Sequence, residues 1–164
     1  MPVLLLTEDD VRRVLTMDLA LTAVEAAFRK LALDEAVNLP RQRCQTDTVM
    51  LHVLPAAAKT LGALGFKAYT TGRFYPQFKI YLFDAKAGGL TAVLDADHLG
   101  QVRTGAASGV ATKKLARADA RTVGMIGTGR QARTSWKRSA KCGRFTVPKC
   151  SAAMKPNGSP LPPK

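Results

Sequence analysis

At 164 residues with 46% hydrophobic content, the chain is long enough for one packed domain and too apolar to default to disorder. Its three cysteines are an odd number without metal-ligand spacing, which argues against a disulfide framework or a zinc site, and no metal is expected. The net charge of +13 points toward nucleic acid only superficially, because residues 135–164 hold seven of the 25 basic residues and none of the 12 acidic ones.

Met1 to Thr7 is a short apolar run followed at once by Glu8, Asp9 and Asp10. It lacks the basic start and small-residue cleavage site of a signal peptide. No apolar run reaches the roughly 18 residues that a membrane helix needs, so a cytoplasmic protein with no membrane partner is expected. Thr7 with its three acids reads as a capped helix start, whose apolar face is Val11, Val14 and Leu15. A second helix starts at Asp18, with Leu21, Val24, Ala27, Phe28 and Leu31 at helical spacing. Asn38-Leu39-Pro40 ends that helical region.

Strand-like runs follow at Thr48 to Leu54, Leu64 to Tyr69 and Phe78 to Phe83. Gly88-Gly89 is a tight turn into Leu90 to Leu94, and together these make a small antiparallel or mixed sheet. His52 and His98 read as ordinary strand and loop histidines. From His98 to Arg117 the pattern becomes helical, with Gly105, Ala106, Ser108 and Gly109 on one face. Small residues there allow close approach to another backbone, as a domain hinge or a nucleotide site requires.

Arg121 to Gly127 is a short buried-type strand, and Gly127-Thr128-Gly129-Arg130-Gln131-Ala132 follows directly. This is the G-x-G-x-x-A form of the dinucleotide fingerprint: the glycines permit a tight turn and close approach to pyrophosphate, and the helix N-terminus offers free N–H groups.

Three segments in order, Gly65-Phe66-Lys67-Ala68-Tyr69, Gln101-Val102-Arg103-Thr104-Gly105 and Val123 to Ala132, resemble the ornithine cyclodeaminase/mu-crystallin family over most of residues 1–134. The resemblance implies an α/β fold class. An α+β substrate and dimerisation domain over residues 1–117 is followed, over 118–134, by only the first βα unit of a Rossmann domain for NAD or NADP. Members act on amino acids or cyclic imines, as homodimers; mu-crystallin shows that the scaffold also serves as a non-catalytic binding protein. Residue by residue, Lys67 matches the catalytic-site lysine near the substrate carboxylate and amine. Arg41, with Arg43 as the alternative in the same loop, is the candidate for the substrate carboxylate, which a guanidinium grips with a bidentate fork. Arg103 matches an arginine that holds substrate and nucleotide, with Thr104 beside it on the nucleotide side. Gly127, Thr128, Gly129, Gln131 and Ala132 match the nucleotide turn.

Beyond Thr134 the pattern breaks. Five of the nine prolines fall in residues 135–164, no helix-length apolar face is visible, and Asp119 is the last acid, so neither a ribose carboxylate nor the family's catalytic aspartate can follow. A basic, disordered tail is expected. Back-translated one base out of frame, with permissible wobble choices, the same segment becomes a helical stretch, a valine–phenylalanine strand ending in glycine–arginine–aspartate, and another helix. One missing base near the Ser135 codon is the simplest explanation, and the chain is then a truncated, inactive relative. A basic-tailed nucleic-acid binder ranks last, since the tail interleaves only Trp136 and Phe145 among its cations.

Overall fold

The computed structural model describes residues 2–126, Gly129, Gln131 and 147–151. The elements run β1 (Leu4–Leu6), α1 (Glu8–Val14), α2 (Met17–Ala32), β2 (Ala36–Asn38), β3 (Gln42–Gln45), β4 (Met50–Ala58), β5 (Ala63–Thr71), β6 (Phe78–Asp84), β7 (Leu90–Asp95), α3 (Asp97–Leu115), β8 (Thr122–Ile126) and β9 (Val147–Ser151). Two compact units result: Met1–Thr16 with Glu25–Gly100, and Met17–Val24 with Gln101–Lys164. Both α2 and α3 cross the boundary between them.

The first unit is built on a mixed sheet in the order β1-β7-β6-β5-β4-β2, with β3 also pairing β4. Every pairing is antiparallel except β1 with β7. The longest ladder joins β4 to β5 without a slip from Met50↔Thr71 to Ala58↔Ala63. A single 3-10 turn at Lys59–Leu61 closes it, ending on Gly62 at φ 60°, a left-handed conformation that glycine adopts without the cost a Cβ would add. Gly65 on β5 meets a different demand: a Cβ there would lie 2.3 Å from the Tyr81 carbonyl oxygen on β6, so only glycine lets the two strands pair so closely.

Thr7 caps α1 as its sequence implies. Its hydroxyl accepts from the Asp10 N–H at 3.3 Å, while its own N–H donates to the Asp10 carboxylate at 3.0 Å. Glu8, in the first turn of α1, does more than favour its own helix. Its carboxylate accepts from the backbone N–H of Asp97 at 2.5 Å and of His98 at 3.2 Å, the orphan donors that open α3. Arg12 ties the same corner together, 3.8 Å from Glu8 and donating to His98 Nδ1 at 3.2 Å.

In the second unit, the α3 residues Val102, Gly105, Ala106, Gly109 and Val110 are buried at helical spacing, as is Ala20 of α2. The small-residue face read from the sequence is thus the buried face. β8 and β9 form a separate parallel pair, Thr122↔Val147 to Ile126↔Ser151. No strand is expected after residue 134 from the sequence; Val147 and Cys150 favour extended backbone, and Pro148 is tolerated because a two-stranded sheet consists of edges. Three shorter strands, β1, β2 and β3, also differ from the expectation, being too brief to show a period. His98 lies in the first turn of α3 and not in a loop. Among the described residues no helix is long and apolar enough to cross a membrane.

Glu8→Ala leaves two α3 N–H groups without their acceptor, and we expect a loss of about 1–2 kcal/mol, the usual cost of removing a helix cap. Urea unfolding of the two proteins measures it; an unchanged midpoint would show that the cap contributes nothing.

Candidate functional site

Alternation along β5 puts Gly65, Lys67, Tyr69 and Thr71 on one face of the sheet. The registers add His52 and Leu54 from β4, and Phe78, Ile80 and Leu82 from β6, to that face. Three aromatic rings form a row across it: His52 stacks on Tyr69 at 4.4 Å and 8° between planes, and Tyr69 meets Phe78 at 4.9 Å. Two cations rest on this row. Lys67 Nζ lies 4.6 Å from the Phe78 centroid and 5.1 Å from that of Tyr69, and Arg41 Cζ lies 5.7 Å from the Tyr69 centroid. The negative face of an aromatic ring attracts a cation, so the ring row favours both groups. Gly100, at the first turns of α3, approaches Lys67: a Cβ there would stand 3.9 Å from Nζ.

Away from the platform, Lys67 borders an apolar cleft of about 370 Å³. Phe28 and Leu31 of α2 form one wall and Leu54, Ala56 and Gly65 of the sheet another; among the described residues Lys67 is its one charged lining residue. The small side chains along β4 and at the start of β5 leave the space open.

His52 is buried, at 6% exposure. Its Nε2 lies 2.8 Å from Thr71 Oγ1, and Nδ1 has no hydrogen-bond partner among the described residues. Burial first, then Arg41 and Arg43, push its pKa down, so both arginines act on this ring. Arg43 pairs with His52 across β3 and β4, which places it on the same sheet face. The structure therefore brings Lys67, Arg41 and Arg43 to one aromatic row.

The other expected residues lie elsewhere. Arg103 is exposed on α3 and Thr104 is half-buried beside it, its carbonyl accepting from Ser108 Oγ at 3.2 Å; both belong to the second unit. Of the nucleotide turn, Gly129 and Gln131 are exposed, Gln131 with helical backbone, whereas Gly127, Thr128 and Ala132 lie outside the described residues. The turn begins where β8 ends at Ile126, beside the parallel neighbour β9, and the carboxyl end of a parallel strand is where a Rossmann sheet receives its nucleotide. His52, Tyr69, Thr71 and Phe78 were not among the sequence candidates. The period of two from Lys67 to Tyr69 is the signal that reveals one of them; the others need the register.

The profile of the Ornithine cyclodeaminase/mu-crystallin family matches residues 2–144. An alanine dehydrogenase from Archaeoglobus fulgidus is 34% identical over 139 residues, covering 80% of this chain and 42% of the relative. The iminosuccinate reductase of Paracoccus denitrificans, solved with NAD+, superposes with a TM-score of 0.88 at 27% identity, over 93% of this chain and 50% of that one. The Δ1-pyrroline-2-carboxylate reductase of Thermococcus litoralis, solved with NADH and L-proline, gives 0.83 at 28% identity, over 94% and 50%. The chain thus spans about half the length of these proteins.

Both histidines are held neutral: burial leads at each, aided by Arg41 and Arg43 at His52 and by Arg12 at His98, where Glu8 and Asp97 oppose. An unfolded imidazole takes its proton at the ordinary value of 6.5, the folded ones only at lower pH. The unfolded state therefore binds more protons as pH falls through 6.5, and stability must drop in that window. The lowered carboxylates Asp10, Glu35 and Asp84 act separately, below their ordinary values of 3.8 to 4.5. We expect the urea midpoint to fall between about pH 7.5 and 5.5, and His52→Phe, which keeps the ring stack, to reduce that fall. A midpoint that rises on acidification contradicts this account.

Proposed function

Because the chain belongs to the ornithine cyclodeaminase/mu-crystallin family, we propose that its sheet face carries the substrate half of a nicotinamide-dependent site acting on an amino acid or its imine. The observation that carries this reading is the convergence of Lys67 and Arg41 on one aromatic row beside a cleft. Residues 1–117 form the substrate and dimerisation domain, and 118–134 begin the nucleotide domain. Arg41 grips the substrate carboxylate and Lys67 sits by the carbon–nitrogen bond, supporting charge there and fixing the reacting carbon. When bound, NAD or NADP accepts or supplies the hydride. Arg103 and Thr104, with Gly127, Thr128, Gly129, Gln131 and Ala132, hold that cofactor in this reading.

The 164 residues span about half the length of the relatives they match. No acid follows Asp119 to bind an adenosine ribose, and no helix-length apolar face follows Thr134 to bury a nucleotide. The chain by itself is therefore proposed to be without turnover, and a base lost near the Ser135 codon to separate it from an active relative. The test is NADH and NADPH oxidation with pyruvate plus ammonium and with cyclic imino acids. We expect no activity from the 164-residue chain, and activity from the product whose frame is restored at Ser135 after resequencing. There, Lys67→Ala should cost at least about a hundredfold in kcat/KM. Turnover by the short chain refutes its inactivity; an inert restored product refutes the enzyme reading.

The opposite sheet face supports a homodimer. It presents Leu51, Leu64, Phe66, Tyr81 and Phe83, with Phe66 stacked on Tyr81 at 4.7 Å, and Leu51 and Leu64 are exposed. A contiguous apolar sheet face of this kind is covered by another sheet in a stable assembly. Sedimentation should give twice the 17.6 kDa chain mass, and Phe66→Glu should give a folded monomer with unchanged far-ultraviolet circular dichroism. A wild-type monomer would refute the dimer.

A further inference from the structure

The sequence leaves Arg41 and Arg43 as alternatives for one role, and the Tyr69 ring separates them. Among the described residues the cations over that ring are those of Lys67 and Arg41, both inside the roughly 6 Å within which a ring centroid attracts a cation. Lys67 is shared with a second ring, that of Phe78. Among the described residues Arg41 rests on Tyr69 alone. It is exposed, it follows Pro40 in the link between β2 and β3, and it makes no ion pair among the described residues. The backbone of that link is tied down where the Leu39 N–H donates to the Pro55 carbonyl at 3.1 Å. The side chain is another matter, because an exposed arginine has many rotamers and ordering one costs entropy.

Tyr69 is itself held from both sides. The registers set His52 opposite it on β4 and Phe78 opposite it on β6, and both rings touch it. Its contacts with His52, Phe78, Lys67 and Arg41 are all made by the ring and none by the hydroxyl. A ring braced between two neighbours offers the cations a fixed seat, where a lone exposed tyrosine would turn with them.

We propose that Tyr69 is a positioning residue, whose ring seats the Lys67 ammonium and the Arg41 guanidinium together so that both meet one substrate carboxylate. The proposal rests on the reading of Arg41 and Lys67 as the substrate pair. A pair ordered in advance loses less freedom when the ligand enters, so carboxylate affinity depends on the electrons of the ring as well as on its bulk.

Two variants of the 164-residue chain separate electrons from bulk: Tyr69→Phe, and Tyr69→3,4,5-trifluorophenylalanine, whose fluorines draw charge from the ring face and nearly keep its shape. Isothermal titration with pyruvate at pH 7.5 reads the affinity. Tyr69→Phe should stay within about twofold of the wild type, and the trifluorinated protein should bind at least about threefold more weakly. Without ligand, 15N relaxation at the Arg41 Nε–H should give a lower order parameter in the trifluorinated protein than in Tyr69→Phe. Equal pyruvate affinity in the two variants, or an Arg41 order parameter that ignores the fluorines, overturns the seat and leaves the substrate pair standing. A wild-type chain that does not bind pyruvate overturns the substrate pair, and the positioning role with it.

Discussion

The unbroken ladder between β4 and β5 is the constraint on which the candidate site depends. Side chains on a strand alternate with a period of two, so a slip of one residue would send Lys67 and Tyr69 to the opposite face and leave His52 without its stacking partner. The register is pinned at its end by the 3-10 turn and the left-handed Gly62, which admit no extra residue. Gly65 then sets the spacing from β6, and Tyr69 and Phe78 come into contact only because that spacing holds. The same alternation divides the sheet into one face for the cations and another for Leu64, Phe66 and Tyr81.

Gathering cations on one face raises an electrostatic difficulty that the aromatic row answers. Like charges close together are tolerated when each has a favourable environment of its own, and ring faces provide one for Lys67 and Arg41. A third titratable group, His52, stays neutral under its burial and the two arginines. Arg41 and Arg43 both lie near this ring, since both lower its pKa.

Much of this was legible in the chain itself. The hydroxyl and three acids at Thr7 to Asp10 announced α1, and the glycine and alanine positions of α3 announced its buried face. Lys67 and Arg41 were singled out through resemblance, and the structure sets both over the Tyr69 ring. What escaped was non-local. Glu8 looks like a first-turn acid favouring its own helix, and nothing nearby shows that it serves α3. His52 looks like an ordinary strand histidine until the register sets Tyr69 beside it and Arg43 opposite. β2 and β3 are too short for a period to show, and they exist because β4 offers them an edge. β9 escaped for a different reason, since a proline-containing segment reads as irregular until a parallel partner is present.

Glu8 and α3 also have a temporal consequence. The carboxylate and the N–H of Asp97 are 89 residues apart, and β1 likewise waits for β7 before it can pair. During synthesis neither contact can form until nearly a hundred residues have left the ribosome, while the β4–β5 hairpin closes locally. The platform face is thus assembled early, from neighbours in the chain, and the corner that locks the first helix to the third closes late. Until then the nascent N-terminus, with Leu4 and Leu5, remains an unpaired strand that a chaperone or another chain can capture.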